Sequence, residues 1–388
     1  MKNLLVSILT CSFIVAQTPS RVNKQIDRIA DKIEKKVIKW RRDIHQNPEL
    51  SNREFKTAAK VAKHLKSLGI DVQTEVAHTG VVGVLKGGKP GKVVALRADM
   101  DGLPVKEKVD LPFASKAKGI YQGKEVDVMN ACGHDNNVAG LMGAAEILAS
   151  IRKDLPGTVK FIFQPAEEGA PLGEKGGAPY MVEEGVMDNP KVDAIFGLHA
   201  WPGKVGQAEY RSGPTMAAAE RMRITVTGVQ THGALPWGGV DPIVISSQII
   251  LSLQTIVSRE VDITEVPAVV TIGSIHGGVR NNIIPEEVVM EGTIRTFKQE
   301  IKDHIHKSIK DKVEMIASAS GAKANVEIFS GIAKVTYNEP SLTEQMLPSL
   351  RRVYGKENVF VRPFVTGAED FPFFTDHAPG LYFFNGVI

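Results

Sequence analysis

Cysteine is almost absent from this chain, which has two among its 388 residues. The excess of one sign of charge over the other is also small, because the formal net charge is +3. No dense block of lysine and arginine suggests a nucleic-acid surface. The basic stretch at 24–42 interleaves acids with apolar residues at helical spacing, so it predicts a solvated amphipathic helix. The apolar run at 4–16 is too short to span a bilayer as an ordinary helix. These shortages argue against a protein that binds nucleic acid or spans a membrane.

The same apolar run is typical of a signal peptide over residues 1–16. It follows a basic start and ends at the small Ala16, before a polar residue. Thr10 ahead of Cys11 disfavours a lipoprotein signal, so we expect an exported protein, periplasmic or secreted, that leaves the membrane after signal removal. The mature chain then keeps Cys132 alone. Coordination to a metal would protect such an unpaired thiol from oxidation.

Hydrophobic residues make up 43% and charged residues 23% of the chain, which is typical of a soluble globular protein with room for two domains. Apolar strands alternate with helices in the first half, which predicts an open α/β sheet. The helices are predicted at 26–44, 55–68 and 138–151, and the strands at 72–76, 81–85, 93–97, 158–163 and 194–198.

The order of the predicted elements changes beyond Gly213, where a strand–helix–strand–strand–helix–strand pattern predicts a ferredoxin-like α+β domain. Its elements are predicted at 221–228, 241–258, 268–275, 287–296, 301–318 and 324–328. Strands at 359–361 and 381–384 resemble the first sheet again, so the α+β part is predicted to be an insertion. The expected organisation is a catalytic domain over 20–213 and 328–388, with the inserted domain at 214–327.

The most informative stretch is 130–135, with the sequence Asn-Ala-Cys-Gly-His-Asp. Gly133 allows a sharp backbone turn, so Cys132 and His134 can aim at one point as metal ligands. The alternative is a buried cysteine that acts as a small hydrophobe beside a hydrogen-bonded histidine. Further residues that can bind a metal follow the ends of predicted strands, and the functional residues of an open α/β sheet usually lie at the ends of its strands.

Glu167 and Glu168 follow one strand end, and His199 ends another. One carboxylate of the pair suits a metal ion, while its neighbour suits the general base that activates a water. Two solvated surface carboxylates are the alternative for the pair, and a hydrogen-bonded core histidine is the alternative for His199. Asp99 follows a third buried strand and is a candidate for orienting a ligand or the base, while Asp101 beside a glycine also fits a turn cap.

Three polar residues of the inserted domain are further candidates. His232 lies in a loop that cannot easily reach the metal loops of its own chain, so it is expected to serve a neighbouring subunit. Asn282 and Arg295 lie near strand ends, where an amide and a guanidinium suit the carbonyl and carboxylate of a substrate. Ordinary surface residues are the alternative for both.

Together these segments resemble the aminoacylase, hippurate hydrolase and indole-acetyl-amino-acid hydrolase branch of the dimetal carboxypeptidase/aminoacylase family, known as metallopeptidase family twenty. The resemblance extends from about residue 38 to the end of the sequence given. The stretches that carry it, in the family's order, are 41–50, 97–104, 132–135, 164–169, 197–199 and 368–371.

The resemblance implies a zinc-peptidase-like α/β catalytic domain, with a mixed sheet flanked by helices, and an inserted lid domain that also dimerises. It implies two divalent ions per subunit, with zinc or manganese favoured and cobalt or nickel allowed. The residues that match the family's metal ligands are Cys132, His134, Glu168 and His199. Glu167 matches the general base, and His232 matches the lid histidine that completes the partner's site. Asn282 and Arg295 match positions of substrate contacts.

The chain departs from the family pattern in three places. Asn130 and Asn137 stand where the family usually has histidine, which affects the surroundings of the metal site rather than its ligands. The family's last histidine ligand, beyond residue 386, has no match, so we expect a C-terminal truncation relative to the family. On that expectation one ion binds more weakly, and the strand at 381–384 loses its covering helix.

The predicted activity is hydrolysis of the amide bond in N-acyl amino acids by a metal-activated water with Glu167 as base. The expected partners are a small-molecule substrate and a second copy of the chain. Two alternatives stay open: a carboxypeptidase or dipeptidase that cleaves short peptides, and an exported binding protein with weakened catalysis.

Overall fold

The computed structural model describes residues 20–387, so the predicted signal peptide lies outside the described residues. In chain order the helices are α1 (Ser20–Gln46), α2 (Phe55–Ser67), α3 (His134–Ser150), α4 (Gly177–Glu183), α5 (Pro242–Thr255), α6 (Gln299–Ala319), α7 (Pro340–Tyr354) and α8 (Pro372–Thr375). Among the described residues, none of these helices is long and apolar enough to cross a membrane.

The strands lie in one large sheet, one four-stranded sheet and three small pairs. In chain order they are β1 (Asp71–Val76), β2 (Gly80–Lys86), β3 (Lys89–Asp99), β4 (Lys118–Tyr121), β5 (Lys124–Asp127), β6 (Pro156–Gln164), β7 (Ala194–Trp201), β8 (Ala208–Tyr210), β9 (Gly213–Met216), β10 (Ala218–Thr227), β11 (Thr231–His232), β12 (Val269–Gly277), β13 (Ile283–Ile284), β14 (Glu287–Thr296), β15 (Lys323–Ala333), β16 (Thr336–Asn338), β17 (Val359–Val361) and β18 (Gly380–Gly386).

The large sheet has eight strands in the order β1-β2-β6-β3-β7-β18-β8-β17. Its centre is parallel, because β6, β3, β7 and β18 run in one direction, while β1, β2 and β8 pair antiparallel to neighbours. The central strands are apolar because helices cover both faces: α1, α2 and α3 on one side and α4 and α8 on the other. The predicted α/β class with a mixed, helix-flanked sheet is confirmed.

The parallel strands bring their carboxyl ends to one edge of the large sheet. Asp99 ends β3, Gln164 ends β6, and His199 lies near the end of β7. The register pairs Asp99 with Gln164, so the polar residues that follow β3 and β6 emerge side by side. This edge therefore collects the candidate site residues, as expected of an open α/β sheet.

The second sheet has four antiparallel strands in the order β12-β14-β10-β15. Helices α5 and α6 pack on it, and a buried aliphatic cluster fills the space between. This is the predicted strand–helix–strand–strand–helix–strand pattern. It occupies the chain between the strands of the large sheet, and the expected limits of 214 and 327 fall in β9 and β15.

The sequence-based predictions missed the start of helix α3 and the whole of helix α7. Helix α3 begins at His134, four residues before the predicted start, because its first turn is polar and shows no apolar period. Helix α7 was not predicted, since Pro340 and Pro348 interrupt its pattern. Pro340 is tolerated in the first turn, and Glu339 caps the helix by accepting a 2.6 Å hydrogen bond from the amide of Leu342.

Candidate metal centre

The Cys-Gly-His turn is built as the sequence predicted. Gly133 has φ of +92°, a left-handed conformation, and a Cβ there would lie 3.1 Å from Cβ of Ala200. The turn places Cys132 beside His199, with 3.7 Å between Sγ and Nε2. Cys132, His134 and His199 each offer one ligand atom, and these atoms lie within 4.8 Å of one another. The arrangement is that of a metal-binding cluster.

The hydrogen bonds of both histidines leave Nε2 available for an ion. Nδ1 of His134 lies 2.8 Å from the carbonyl oxygen of Asp101, and Nδ1 of His199 lies 2.6 Å from that of Ala200. A carbonyl only accepts, so each Nδ1 carries a proton. Nε2 of His134 is buried without a hydrogen-bond partner among the described residues. A buried nitrogen of this kind is expected of a metal ligand and disfavoured elsewhere.

Glu167 and Glu168 lie on a strained turn that follows β6. Ala166 adopts the left-handed region with φ of +53°, unusual for a residue with a side chain. The turn brings both carboxylates to His134, and the ligand atoms of these three residues lie within 4.8 Å. Glu167 is half-buried and Glu168 is exposed. The donors therefore extend from the Cys132 side to the glutamate pair, with His134 common to both.

Asp99 is fully buried, and both of its oxygens are already engaged. Oδ2 accepts a hydrogen bond from Arg97 at 2.5 Å, and Oδ1 accepts one from Asn137 at 2.8 Å. It lies 3.8 Å from Nε2 of His134. These hydrogen bonds fix the orientation of the Asp99 carboxylate, and Asp99, His199 and Glu369 also offer ligand atoms that lie within 4.8 Å of one another.

The second acid of this segment, Asp101, binds partners outside its own turn. Its carboxylate accepts hydrogen bonds from the amides of Glu167 at 3.2 Å and Glu168 at 3.0 Å. It also accepts one from the hydroxyl of Ser51 at 2.7 Å. The alternative of a local turn cap is therefore wrong, because the side chain spans to the glutamate loop.

Burial and neighbouring charges shift the pKa values of the cluster. Burial raises the pKa of Glu167 well above its usual value, and nearby Glu369 and Asp370 raise it further. Burial works against the charged form of His134, but Asp99 and other acceptors outweigh it and hold the pKa well above its ordinary value. Carboxylates that favour a proton on His134 equally favour a divalent ion. The donor set therefore fits such an ion, which would also deprotonate the Cys132 thiol.

A buried ionic network behind the site was not anticipated. Arg97 donates to Asp99, to Glu369 at 2.8 Å and to Asp370 at 3.1 Å, and Tyr382 donates to the other oxygen of Glu369. The signal was present in the sequence, since Arg97 and the 368–371 stretch both belong to the motifs quoted above. Their partnership was hidden because about 270 residues separate them.

The two asparagines at the departures from the family pattern are both buried. Asn130 donates a 3.2 Å hydrogen bond to the carbonyl of Ile44. Asn137 donates to Asp99, and its oxygen accepts the amide of Ala200 at 3.0 Å. Asn137 therefore joins the ends of β3 and β7, on either side of the ligand cluster.

The three candidate residues of the inserted α+β domain lie on two different parts of it. His232 ends β11 and Asn282 directly precedes β13, and the amide of Gly233 donates to the Asn282 carbonyl at 2.8 Å. Arg295 lies on β14, half-buried, and donates to the carbonyl of Ile294 at 3.1 Å. His232 is exposed and belongs to none of the metal-type clusters found among residues 20–387. Within this chain the structure therefore does not join it to Cys132.

Comparison with known proteins decides the family. The model of peptidase family M20/M25/M40 matches residues 95–387. The chain belongs to this family. As a member of the M20/M25/M40 family it is a hydrolase that acts on amide bonds, as predicted.

Relatives of this M20-family chain cover nearly its whole length. It is 41% identical over 359 residues to thermostable carboxypeptidase 2 of Saccharolobus solfataricus, covering 92% of this chain and 86% of the relative. It is 40% identical over 356 residues to N-acetyl-L-cysteine deacetylase of Bacillus subtilis, covering 92% and 81%. A solved structure of the Bacillus subtilis YXEP protein, described as a dinuclear metal binding peptidase of the M20 family, superposes with a TM-score of 0.77. It is 34% identical, and the match covers 92% of this chain and 89% of that one.

Proposed function

We propose that this protein hydrolyses the amide bond of N-acyl amino acids, using two divalent metal ions per subunit. The observation that carries the proposal is the convergence of Cys132, His134 and His199 with the Glu167–Glu168 pair at one sheet edge. The names of relatives support the substrate class, since they include N-acetyl-L-cysteine deacetylase and N-acyl-L-amino acid amidohydrolase.

The residues that would hold the ions are Cys132, His134, Glu168 and His199. Thiolate, imidazole and carboxylate together suit borderline ions, so zinc or manganese is favoured, and cobalt or nickel would also fit. When bound, such ions lower the pKa of an attacking water and polarise the substrate carbonyl. The dinuclear site of the structural relative supports two ions rather than one.

Glu167 is the proposed general base. Its carboxyl lies against His134, with 3.8 Å between Oε2 and Nε2, and so faces the position where water and substrate meet. It takes the proton of the attacking water and passes that proton to the leaving amine. Burial and the acidic neighbours Glu369 and Asp370 raise its pKa, which makes the ionised carboxylate a stronger proton acceptor.

The inserted domain, over residues 214–327, is proposed to act as lid and dimerisation surface. Nδ1 of His232 accepts the amide of Ala234 at 3.0 Å, so its Nε2 carries a proton that can be donated outward. In a homodimer this donor would stabilise the oxyanion in the partner's site. Asn282, beside His232, and Arg295 are the proposed contacts to the substrate carbonyl and carboxylate.

A second candidate function is cleavage of short peptides as a metallo-carboxypeptidase. The carboxypeptidase names of the Saccharolobus relatives favour it. A third is an exported binding protein that keeps the cleft but has weakened catalysis, and its exported location rests on the predicted signal peptide at 1–16. Neither alternative involves nucleic acid or a membrane, and both keep the exported location as a proposal.

The deciding experiment is a substrate panel with controlled metal. N-acetyl and N-benzoyl amino acids and dipeptides would be offered to metal-stripped protein with zinc, manganese, cobalt or nickel added. Preferential turnover of the N-acyl compounds supports the proposal, and preferential turnover of dipeptides supports the peptidase. Metal binding without turnover of either class points to the binding protein.

A further inference from the structure

The loop that carries Glu167 and Glu168 is held in place by Glu54, which contacts its first turn. Glu54 directly precedes α2 and is completely buried. Its Oε1 accepts a 2.9 Å hydrogen bond from the amide of Ala166, and its Oε2 accepts one from the hydroxyl of Thr79 at 2.5 Å. The side chain therefore connects the start of α2 with the first residue of the strained turn.

Asp101 accepts the next two amides, those of Glu167 and Glu168. Three successive amides, from residue 166 to 168, thus donate to two buried carboxyl groups. These three hydrogen bonds explain how Ala166 keeps its left-handed conformation, since a strained backbone conformation persists only where the surrounding contacts fix it.

The far end of the same loop is held by a neighbour of Glu54. The side-chain amide of Asn52 donates to Glu174 at 3.0 Å and to the carbonyl of Lys175 at 2.9 Å. Residues 51–54, which we term the clamp segment, therefore contact the loop 165–175 at both ends, and Ser51 bonds to Asp101 between them.

From this geometry we infer that Glu54 is a positioning residue, which fixes the Ala166 turn and thereby the aim of Glu167 and Glu168. The inference rests on the proposed function, because it assigns Glu54 to the same reaction. Two buried carboxyl groups side by side disfavour each other's charge, so the positioning role needs from Glu54 an acceptor oxygen for the Ala166 amide rather than a negative charge. Burial, with Asp101 nearby, raises the pKa of Glu54 to about 8, and the half-exposed Arg53 is a cation that interacts with its carboxyl group.

The test compares Glu54→Ala with Glu54→Gln. Glutamine keeps the size and an acceptor for the Ala166 amide, whereas alanine removes both hydrogen bonds. Loss of a supporting hydrogen bond behind a metal ligand typically reduces metal affinity or activity by about 10- to 100-fold. For Glu54→Ala we expect such a loss in kcat and in zinc affinity, with little change in KM. Glu54→Gln is expected to stay close to the parent in all three.

Leu85→Ala is the matched control. Leu85 is as buried as Glu54 and lies on β2, at the end opposite the loop, paired with Val159. It should lower stability without changing kcat or zinc affinity. Should Glu54→Ala fail to fold, Thr79→Val removes one hydrogen bond of Glu54 and should shift the same quantities less strongly.

Hydrogen exchange separates this inference from the proposed function. In the parent the amides of residues 166–168 should exchange slowly. In Glu54→Ala the exchange rate of the Ala166 amide should increase by more than the loss of global stability in that variant explains. That result supports positioning even if no substrate is turned over. The inference is overturned if Glu54→Ala matches Leu85→Ala in zinc affinity and loop exchange, or if Glu54→Gln is as impaired as Glu54→Ala.

Discussion

The side-chain amide of Asn137 donates to Asp99 while its oxygen accepts the amide of Ala200, so a single residue links two strand ends across the ligand cluster. In Asn137→Ala, Asp99 loses a donor and a buried amide loses its acceptor. We expect a fall in kcat and in metal affinity of about 10- to 100-fold. Asn137→Asp should be worse than alanine, because it adds a second negative charge beside Asp99.

Steady-state kinetics and zinc titration of both Asn137 variants check this expectation. Asn136→Ala is the control, since Asn136 has the same side chain in the same turn of α3 but makes no side-chain hydrogen bond to Asp99 or Ala200 among those described. Equal losses in Asn136→Ala and Asn137→Ala would contradict the linking role.

Glu167→Gln should retain metal and lose hydrolysis. The substitution keeps the shape of the side chain but removes the proton acceptor, while Glu168 and the other proposed ligands remain. Removal of a general base typically costs about 100- to 10,000-fold in rate. Metal content by elemental analysis, measured alongside turnover, is the check, and turnover equal to the parent would rule out this role for Glu167.

A site shared between subunits can be tested by complementation. His232→Ala chains lack the proposed donor, and Glu167→Gln chains lack the base, so each homodimer should be inactive. In mixed dimers one of the two sites has both residues, and we expect partial recovery of activity. Mixtures verified as heterodimers by differential tagging that stay inactive would exclude the shared site.

Gly133→Ala should destabilise the protein and weaken metal binding together. Alanine at φ of +92° is strained, and its Cβ would press on Ala200 at 3.1 Å. A cost of about 1–2 kcal/mol in the free energy of unfolding is expected from the conformation. Gly123→Ala is matched in backbone, with φ of +76° and no atom within 4 Å of the added Cβ. Urea unfolding should show a loss in both variants, whereas zinc titration should change only for Gly133→Ala.

The pH dependence of stability should carry the signature of Glu54. Burial, with Asp101 beside it, raises the pKa of Glu54 to about 8 from an ordinary value of 4.5. The folded state then binds the proton more tightly than the unfolded state, so this stabilisation is complete below pH 4.5 and is lost as the pH rises to about 8. In Glu54→Gln that part of the dependence should vanish. Between about pH 5.5 and about pH 8.5 the difference in unfolding free energy between parent and variant should change by about 3 kcal/mol. A constant difference across this interval would contradict the assignment.

Local pattern was enough to predict the elements that carry the site. The apolar strands before Asp99, Gln164 and His199 were recognisable because burial on both faces demands continuous apolar residues. Gly133 indicated the turn between Cys132 and His134, because glycine allows a sharp backbone turn. The polar start of α3 was missed, because its first turn serves the site rather than the core.

Hydrogen bonds between residues far apart in the chain could not be predicted from the sequence. The partners of Arg97 lie in the 368–371 stretch, and the partner of Glu54 lies at Ala166, so neither pairing leaves a spacing that can be read locally. The pairing of β11 with β13 is likewise set by tertiary packing, which no window of residues encodes.

The placement of β18 between β7 and β8 has a consequence for how the chain reaches its native state. The two flanking strands are synthesised about 170 to 180 residues before the strand that joins them. Until β18 arrives, β7 has an unpaired edge, and Arg97 has neither Glu369 nor Asp370 to balance its charge. Contacts so distant in sequence form late and slowly, so the inserted α+β domain, with its own core, is free to fold first. Because His199 lies on β7, we expect the ordering of the ligand cluster to depend on the pairing of β18 with β7.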